Sequence, residues 1–278
     1  MVPIEIKWTV LVYGLIASVL GLFLPMIILL IIVCLHEMGH FIAAKLTRFP
    51  VEKLELHLFG GKLITSKMFG NSILQDLWIA LAGPMMHGII FLFILLLQHM
   101  EVMNMDILYI IQFYNVLILL FNLLPIYPLD GGRIIQYLLQ FILPVYIVQR
   151  YVNLISIFMI ILSNILFFYF YFLSLPVVFI SIYLLIENIQ ALRQITYLHW
   201  RFLLWKKQHI HSKHLKIKQI SKHVSLEQIL KAMYREKTVQ YITLNQKRTY
   251  FFKDDELLHE RFNKYVTFQT IEEMIEKK

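Results

Sequence analysis

Residues 36–40 read HEMGH and contain the residue types of a zinc hydrolase. His36 and His40 are spaced so that they lie one turn apart on the same face of a helix, close enough to ligate one zinc ion. Glu37 then lies beside the metal, where its carboxylate can take a proton from a water and pass it to the leaving amine of a peptide. The motif therefore predicts Zn²⁺ as cofactor, two histidine ligands, a glutamate base and a hydrolytic reaction.

Two histidines leave a zinc site incomplete, so a third protein ligand must come from elsewhere in the chain. The candidate is Asp130, within the segment NLLPIYPLDGG at 122–132. Pro125 and Pro128 must interrupt a helix there, and the glycines that follow permit a sharp backbone course, which at membrane depth implies a lined cavity. The alternative is an aspartate that merely caps or turns the chain after a proline.

Other polar side chains are weaker candidates. Asn122 could hydrogen-bond an extended substrate backbone or orient a ligand, and an interhelical hydrogen bond is the alternative. His57, His87 and His99 lack metal-ligand spacing, and an interhelical hydrogen bond is a plausible role for His87.

The elements that must position these residues are membrane helices. Mean hydropathy is +0.66 and 59% of the 278 residues are hydrophobic, which excludes an ordinary soluble domain. Six apolar segments are long enough to span a bilayer. They cover residues 8–24, 26–47, 76–98, 107–127, 151–170 and 173–191. The first is expected to be an uncleaved span, because no small-residue cleavage site follows it.

Charges between the spans predict the orientation, because Lys and Arg collect on the cytoplasmic side. Every Lys and Arg between the spans falls on one side, and Glu101 and Asp106 are the only charges on the other. Both termini are therefore predicted to be cytoplasmic. The second and fourth spans then run in the same direction, which brings Asp130 to the membrane depth of His36 and His40.

Residues 192–278 carry 18 Lys and Arg against nine Asp and Glu, and no nucleic-acid motif accompanies this excess. Contact with anionic lipid headgroups or an acidic partner explains it, and no nucleic-acid partner is expected. Residues 1–191 are predicted to form the protease domain, 192–214 a basic linker helix, and 215–278 a small cytoplasmic domain. Within the last, Ser225 is expected to cap a helix, followed by strands YITLN and TYFF and by the helix DDELLHERF.

The motifs HEMGH, LFGG, AGPMMH and NLLPIYPLDGG, in this order, resemble the site-2 protease family of intramembrane metalloproteases. The resemblance covers essentially the whole chain. It implies an all-α polytopic membrane protein of six transmembrane helices with a small C-terminal α+β, CBS-like cytoplasmic domain. Many family members have asparagine where this chain has His87, so the resemblance carries no role to that position.

The resemblance also implies site roles. His36, His40 and Asp130 would be the zinc ligands and Glu37 the catalytic base. Asn122 and Pro128 would belong to the substrate-contact region, and a re-entrant loop around Phe59 would gate access and contact substrate.

The sporulation branch of the family is similar in lacking a PDZ domain and in carrying a CBS-like module. That similarity implies pro-sigma-K as the substrate, SpoIVFA and BofA as inhibitory membrane partners, and the mother-cell outer forespore membrane as the location. It further implies ATP as a ligand of the CBS-like module and leaves a homo-oligomer through that module open. The alternative function is a membrane metal transporter or sensor with the same His and Asp ligands, which would have no need of a base at Glu37.

Overall fold

The computed structural model describes residues 4–6, 21–57, 60–65, 69, 72–171, 175–209, 214–221, 223–245, 248–263 and 270–276. The chain divides into two compact units, 1–134 and 135–278. Residues 8–20 of the first predicted span and Phe59 lie outside the described residues.

Three long helices form the frame of the first unit. They are α1 (Phe23–Leu46), α2 (Ile73–His99) and α3 (Met105–Asn122). Side chains fix two of their starts, because the Ser72 side chain accepts a hydrogen bond from Gln75 N (3.1 Å) and Asn104 accepts one from Asp106 N (2.8 Å). A fourth, amphipathic helix, α4 (Asp130–Gln140), begins at the end of this unit.

The core of the first unit is built from aliphatic side chains at helical spacing. They are Ile28 and Ile32 on α1, Ile90 and Ile94 on α2, and Leu108 on α3. Helices α1 and α2 approach closely beside the HEMGH motif, where a Cβ on Gly39 would overlap Met86 Cγ and lie against the Ala82 carbonyl. The close approach therefore depends on a residue without a side chain.

A three-stranded sheet accompanies these helices, in the order β1 (Ile4–Ile6), β2 (Val51–His57), β3 (Gly60–Thr65). Strand β1 pairs with β2 in parallel and β3 pairs with β2 antiparallel, with His57 opposite Gly60. The described residues on either side of the predicted re-entrant loop thus form an antiparallel strand pair.

The second unit begins with two helices, α5 (Val145–Tyr171) and α6 (Leu175–Gln208). Five described helices are long and apolar enough to cross a membrane by length and composition: α1, α2, α3, and the stretches Val145–Tyr169 and Val177–Gln208. They expose large apolar side chains such as Leu92, Phe113 and Phe158, which suits contact with lipid.

After α6 the second unit forms a small α+β module, defined as residues 214–276. Its elements are β4 (His214–Gln219), α7 (Leu226–Lys231), β5 (Lys237–Asn245), β6 (Arg248–Lys253), α8 (Asp254–Asn263) and α9 (Ile271–Glu276). Strand β4 pairs with β5 in parallel, and β6 pairs with β5 antiparallel. Ser225 caps α7 through a reciprocal bond with Gln228, as the sequence predicts.

Helix α6 continues well past the sixth predicted span. It runs through the end of the sixth predicted span and most of the predicted linker helix, while His214 at the end of that linker begins β4. Lys206 near the end of α6 is buried and forms an ion pair with Asp254 Oδ2 at 2.8 Å. The predicted domain limits at 191 and 214 stay a prediction.

Candidate metal centre

Helix α1 brings His36 and His40 to one buried face. Their side chains are one turn apart, the two Nε2 atoms lie 3.1 Å from each other, and only 3% and 6% of the two residues is exposed. Met38, on the other side of the helix, is 48% exposed. The helical spacing therefore produces the convergence that the sequence predicts.

Asp130 is the first residue of α4, and its side chain lies beside the two histidines. Its Oδ2 atom lies 3.0 Å from His36 Nε2 and 3.1 Å from His40 Nε2. Helix α3 ends at Asn122, five residues before the end of the predicted span, because Pro125 cannot donate a backbone bond to continue it.

The connection between α3 and α4 is tight. Leu129 N donates to Ile126 O at 2.9 Å, and the Tyr127–Pro128 peptide bond is cis. A Cβ on Gly131 would overlap the Leu123 carbonyl, and one on Gly132 would lie 2.6 Å from Tyr127 N. The two glycines thus let the chain fold back on itself and place Asp130 against the histidines.

The three side chains fit a zinc ion. One ligand atom from each of His36, His40 and Asp130 lies within 4.8 Å of the others, and all three residues are buried. Two imidazole nitrogens and one carboxylate oxygen are a donor set of catalytic zinc sites. Ligand atoms in a tetrahedral site with bonds of about 2.1 Å lie about 3.4 Å apart, close to the separations found here.

Glu37 follows the first histidine and is buried, with 6% of its surface exposed. A buried carboxylate in a membrane-spanning helix is costly and is retained for a function. Its position on α1 between His36 and His40 agrees with the role of base that the motif predicts.

The structure describes two of the three predicted substrate-contact residues, Asn122 and Pro128. Asn122 is half-buried, and its Nδ2 atom donates to Ile118 O at 3.1 Å within its own helix, so this bond is not the interhelical one considered from the sequence. Pro128 is half-buried and precedes Asp130 by two residues. Phe59 lies outside the described residues, and the substrate roles of all three stay predictions.

Two further polar residues, to which the motifs assign no role, also belong to the centre. His87 on α2 contacts His36, with its Nε2 atom 3.0 Å from His36 Nδ1, and Asn115 on α3 contacts His87 in turn. His40 Nδ1 donates to Ile79 O at 2.8 Å. The position of His87 and Asn115 inside apolar spans is the sequence signal for such a role, because polar groups are rarely placed there without a partner.

Comparison with known proteins supports this description. The model of peptidase family M50 matches residues 25–105 and 98–166. Stage IV sporulation protein FB of Bacillus subtilis is 27% identical over 197 residues, 71% of this chain and 67% of the relative. A zinc metalloprotease of Methanocaldococcus jannaschii is 33% identical over 117 residues, 41% of this chain and 34% of the relative.

A solved structure is similar as well. The site-2 protease of Methanocaldococcus jannaschii superposes with a TM-score of 0.55 at 24% identity, over 69% of this chain and 91% of that one. At this identity the likeness shows the fold.

Proposed function

Because the chain belongs to peptidase family M50, and is thus an integral membrane zinc metalloprotease of the site-2 type, we propose that it hydrolyses a membrane-associated protein near the cytoplasmic membrane face. The observation that carries the proposal is the convergence of buried His36, His40 and Asp130 with Glu37 between the two histidines. Among the described residues three side chains converge as ligands, and a zinc site with three protein ligands leaves one coordination position for water or substrate.

In this proposal His36 and His40 hold the metal through Nε2, and Asp130 holds it through a carboxylate oxygen. Zinc bound there supplies a Lewis acid that polarises the scissile carbonyl and makes water nucleophilic near neutral pH. Glu37 takes a proton from the attacking water and delivers it to the leaving amine. The burial of all four side chains excludes bulk water and strengthens their electrostatic effect on the reacting atoms.

The test is the substitution Glu37→Gln in the full-length protein, co-expressed with a candidate substrate. We expect cleavage to be abolished while zinc content is unchanged, since glutamine fills the same space but cannot accept the proton. Glu187→Gln, the same change on α6, is the matched control and should leave cleavage intact. Near-normal cleavage by Glu37→Gln would refute the base assignment, and metal uptake by vesicles without proteolysis would favour a transporter.

The cytoplasmic position of the reaction is supported by the charge pattern between the spans. A helical substrate hides its carbonyls and must be extended before it can be cleaved. Among the described residues β3 pairs along one edge only, with β2, so its other edge is suited to binding an extended substrate strand. Phe59, Asn122 and Pro128 remain the residues proposed to contact that substrate.

A sigma factor precursor is the proposed substrate. The support is the likeness to stage IV sporulation protein FB. The proposal includes SpoIVFA and BofA as inhibitory partners, the outer forespore membrane as the location, and both termini in the cytoplasm. Co-expression with pro-sigma-K and mass spectrometry of the product termini tests it. An intact precursor beside cleavage of another membrane protein would refute this substrate alone.

The α+β module is proposed to be a CBS-like regulatory domain. Its order of elements from β4 to α8, which is strand, helix, two strands and helix, supports this assignment, and α9 follows them. A sixth transmembrane helix near the N-terminus, ATP as a ligand of the module and a homo-oligomer through it belong to the same proposal. Equilibrium binding of ATP to the purified full-length protein, with and without magnesium, is the corresponding measurement.

A further inference from the structure

A chain of three buried polar side chains crosses the first unit from α3 to the candidate metal centre. Asn115 Oδ1 lies 2.7 Å from His87 Nδ1, and His87 Nε2 lies 3.0 Å from His36 Nδ1. Asn115 Nδ2 also donates to the backbone carbonyl of His87 at 3.1 Å. His87 and Asn115 are each 1% exposed, so water does not supply alternative partners.

Each proton in this chain is fixed by its neighbour. His36 faces the candidate metal position with Nε2, so a ligating His36 carries its proton on Nδ1. That N–H donates to His87 Nε2, which must accept and therefore carries its own proton on Nδ1. The His87 Nδ1–H donates in turn to the Asn115 carbonyl oxygen, and the asparagine amide is oriented by its bond to the His87 backbone.

This arrangement leaves His87 no lone pair for a metal. Its accepting nitrogen is used by His36 and its donating nitrogen by Asn115. His87 is therefore a neighbour of a ligand and not a fourth ligand.

We propose that His87, oriented by Asn115, is a positioning residue that holds the His36 imidazole in the tautomer and rotation required for metal binding. The inference rests on the proposed zinc site and deepens it. Histidines that bind metals donate their second ring N–H to a fixed acceptor, and loss of that acceptor lowers metal affinity by about 10- to 100-fold.

The two histidine ligands differ in how they are held. His40 Nδ1 donates to the backbone carbonyl of Ile79, which no side-chain substitution removes. His36 depends on the His87 side chain. Substitution at position 87 should therefore affect one ligand selectively.

The experiment measures zinc affinity of the purified full-length protein in detergent by chelator competition. The visible spectrum of the cobalt(II)-substituted protein is recorded as well, because it reports ligand geometry. We expect His87→Ala to weaken zinc binding by about 10- to 100-fold and to change the cobalt spectrum. His87→Gln, whose side-chain oxygen can accept from His36 Nδ1, should restore both. His99→Ala, an exposed histidine at the end of the same helix, is the control and should resemble wild type.

Asn115→Leu adds a second test because it removes both polar atoms of the side chain and keeps the branching of its heavy atoms. If Asn115 acts through His87, the double variant with His87→Ala loses no more affinity than His87→Ala alone. If the two substitutions instead lower zinc affinity independently, so that their fold-losses multiply in the double variant, the action of Asn115 through His87 is overturned. The positioning role of His87 is overturned if His87→Ala binds zinc with wild-type affinity, or if His87→Gln binds zinc as weakly as His87→Ala. By contrast, wild-type zinc affinity in His36→Ala would overturn the proposed metal site itself.

Discussion

A Cβ atom on Gly83 of α2 would overlap the Nε2 and Cε1 atoms of His40 on α1. The same atom would lie 2.7 Å from Cε1 of His36. Glycine inside a helix lowers helix stability by about 1 kcal/mol relative to alanine. At position 83 this loss accompanies the space that the two imidazoles occupy.

Substitution Gly83→Ala should therefore disrupt the metal centre. The added methyl group would displace one or both imidazoles, and we expect zinc content and proteolysis to fall together. Metal analysis of the purified protein checks this. Gly88→Ala, on the same helix, is the control, because a Cβ there meets nothing within 4 Å and should stabilise the helix slightly. Full zinc occupancy in Gly83→Ala would contradict the crowding argument.

The turn before α4 gives a second prediction. A Cβ on Gly131 would overlap the carbonyl oxygens of Leu123 and Leu124, so Gly131→Ala should force the connection apart and withdraw Asp130 from the histidines. We expect loss of zinc even though no ligand is changed. Zinc affinity compared with that of Gly88→Ala measures the effect, and an unchanged affinity would show that the turn can relax without moving Asp130.

The sequence predicts much of the site because its two motifs are local. The spacing of His36 and His40 follows from helix geometry, and the charge pattern brings Asp130 to the same depth. The partnership of His36 with His87 could not be predicted in the same way. It depends on how α1 and α2 are rotated against each other, which small residues such as Gly39 and Gly83 decide through contacts distant in sequence.

The fold shows a similar division. The capped helix at Ser225 and the strands YITLN and TYFF were predicted from local pattern and are confirmed. The sixth predicted span and most of the predicted linker helix form one continuous helix, α6, because the backbone contains no Gly or Pro from 177 to 208 to end it. Strand β4 was missed because its pairing partner, β5, is remote in sequence.

The ion pair between Lys206 and Asp254 gives a third prediction. Lys206 Nζ also donates to the carbonyls of Tyr234 (2.6 Å) and Lys237 (3.0 Å), and Asp254 Oδ2 accepts from Val239 N (3.1 Å). Lys206→Met would leave a buried carboxylate without its cation, which costs about 3–5 kcal/mol. Hydrogen exchange of the β5 amides in detergent measures this loss. Lys207→Met, which removes an ammonium group 5.5 Å from the Phe262 ring, should cost about 1 kcal/mol or less.

The stability of Lys206→Met should show a characteristic pH dependence. Burial raises the pKa of Asp254, and the attraction of Lys206 opposes this rise, so removing Lys206 raises the pKa further. A carboxyl group whose pKa is higher in the folded state contributes stability that is present below its unfolded pKa of about 4 and lost as pH rises through the folded pKa. The deficit of Lys206→Met should therefore shrink as pH falls from 7 toward 4. A constant deficit would exclude ionised Asp254 as its cause.

The proposed orientation can be tested with single cysteines, since Cys34 is the one native cysteine and can be replaced by alanine. Met103 lies in the exposed connection between α2 and α3, and Ser221 lies exposed in the α+β module. The charge pattern places these positions on opposite sides of the membrane. We expect a membrane-impermeant maleimide to label Met103→Cys in intact cells and Ser221→Cys only after permeabilisation. The reverse labelling would place Met103 on the cytoplasmic side and Ser221 on the other, and so refute the proposed orientation.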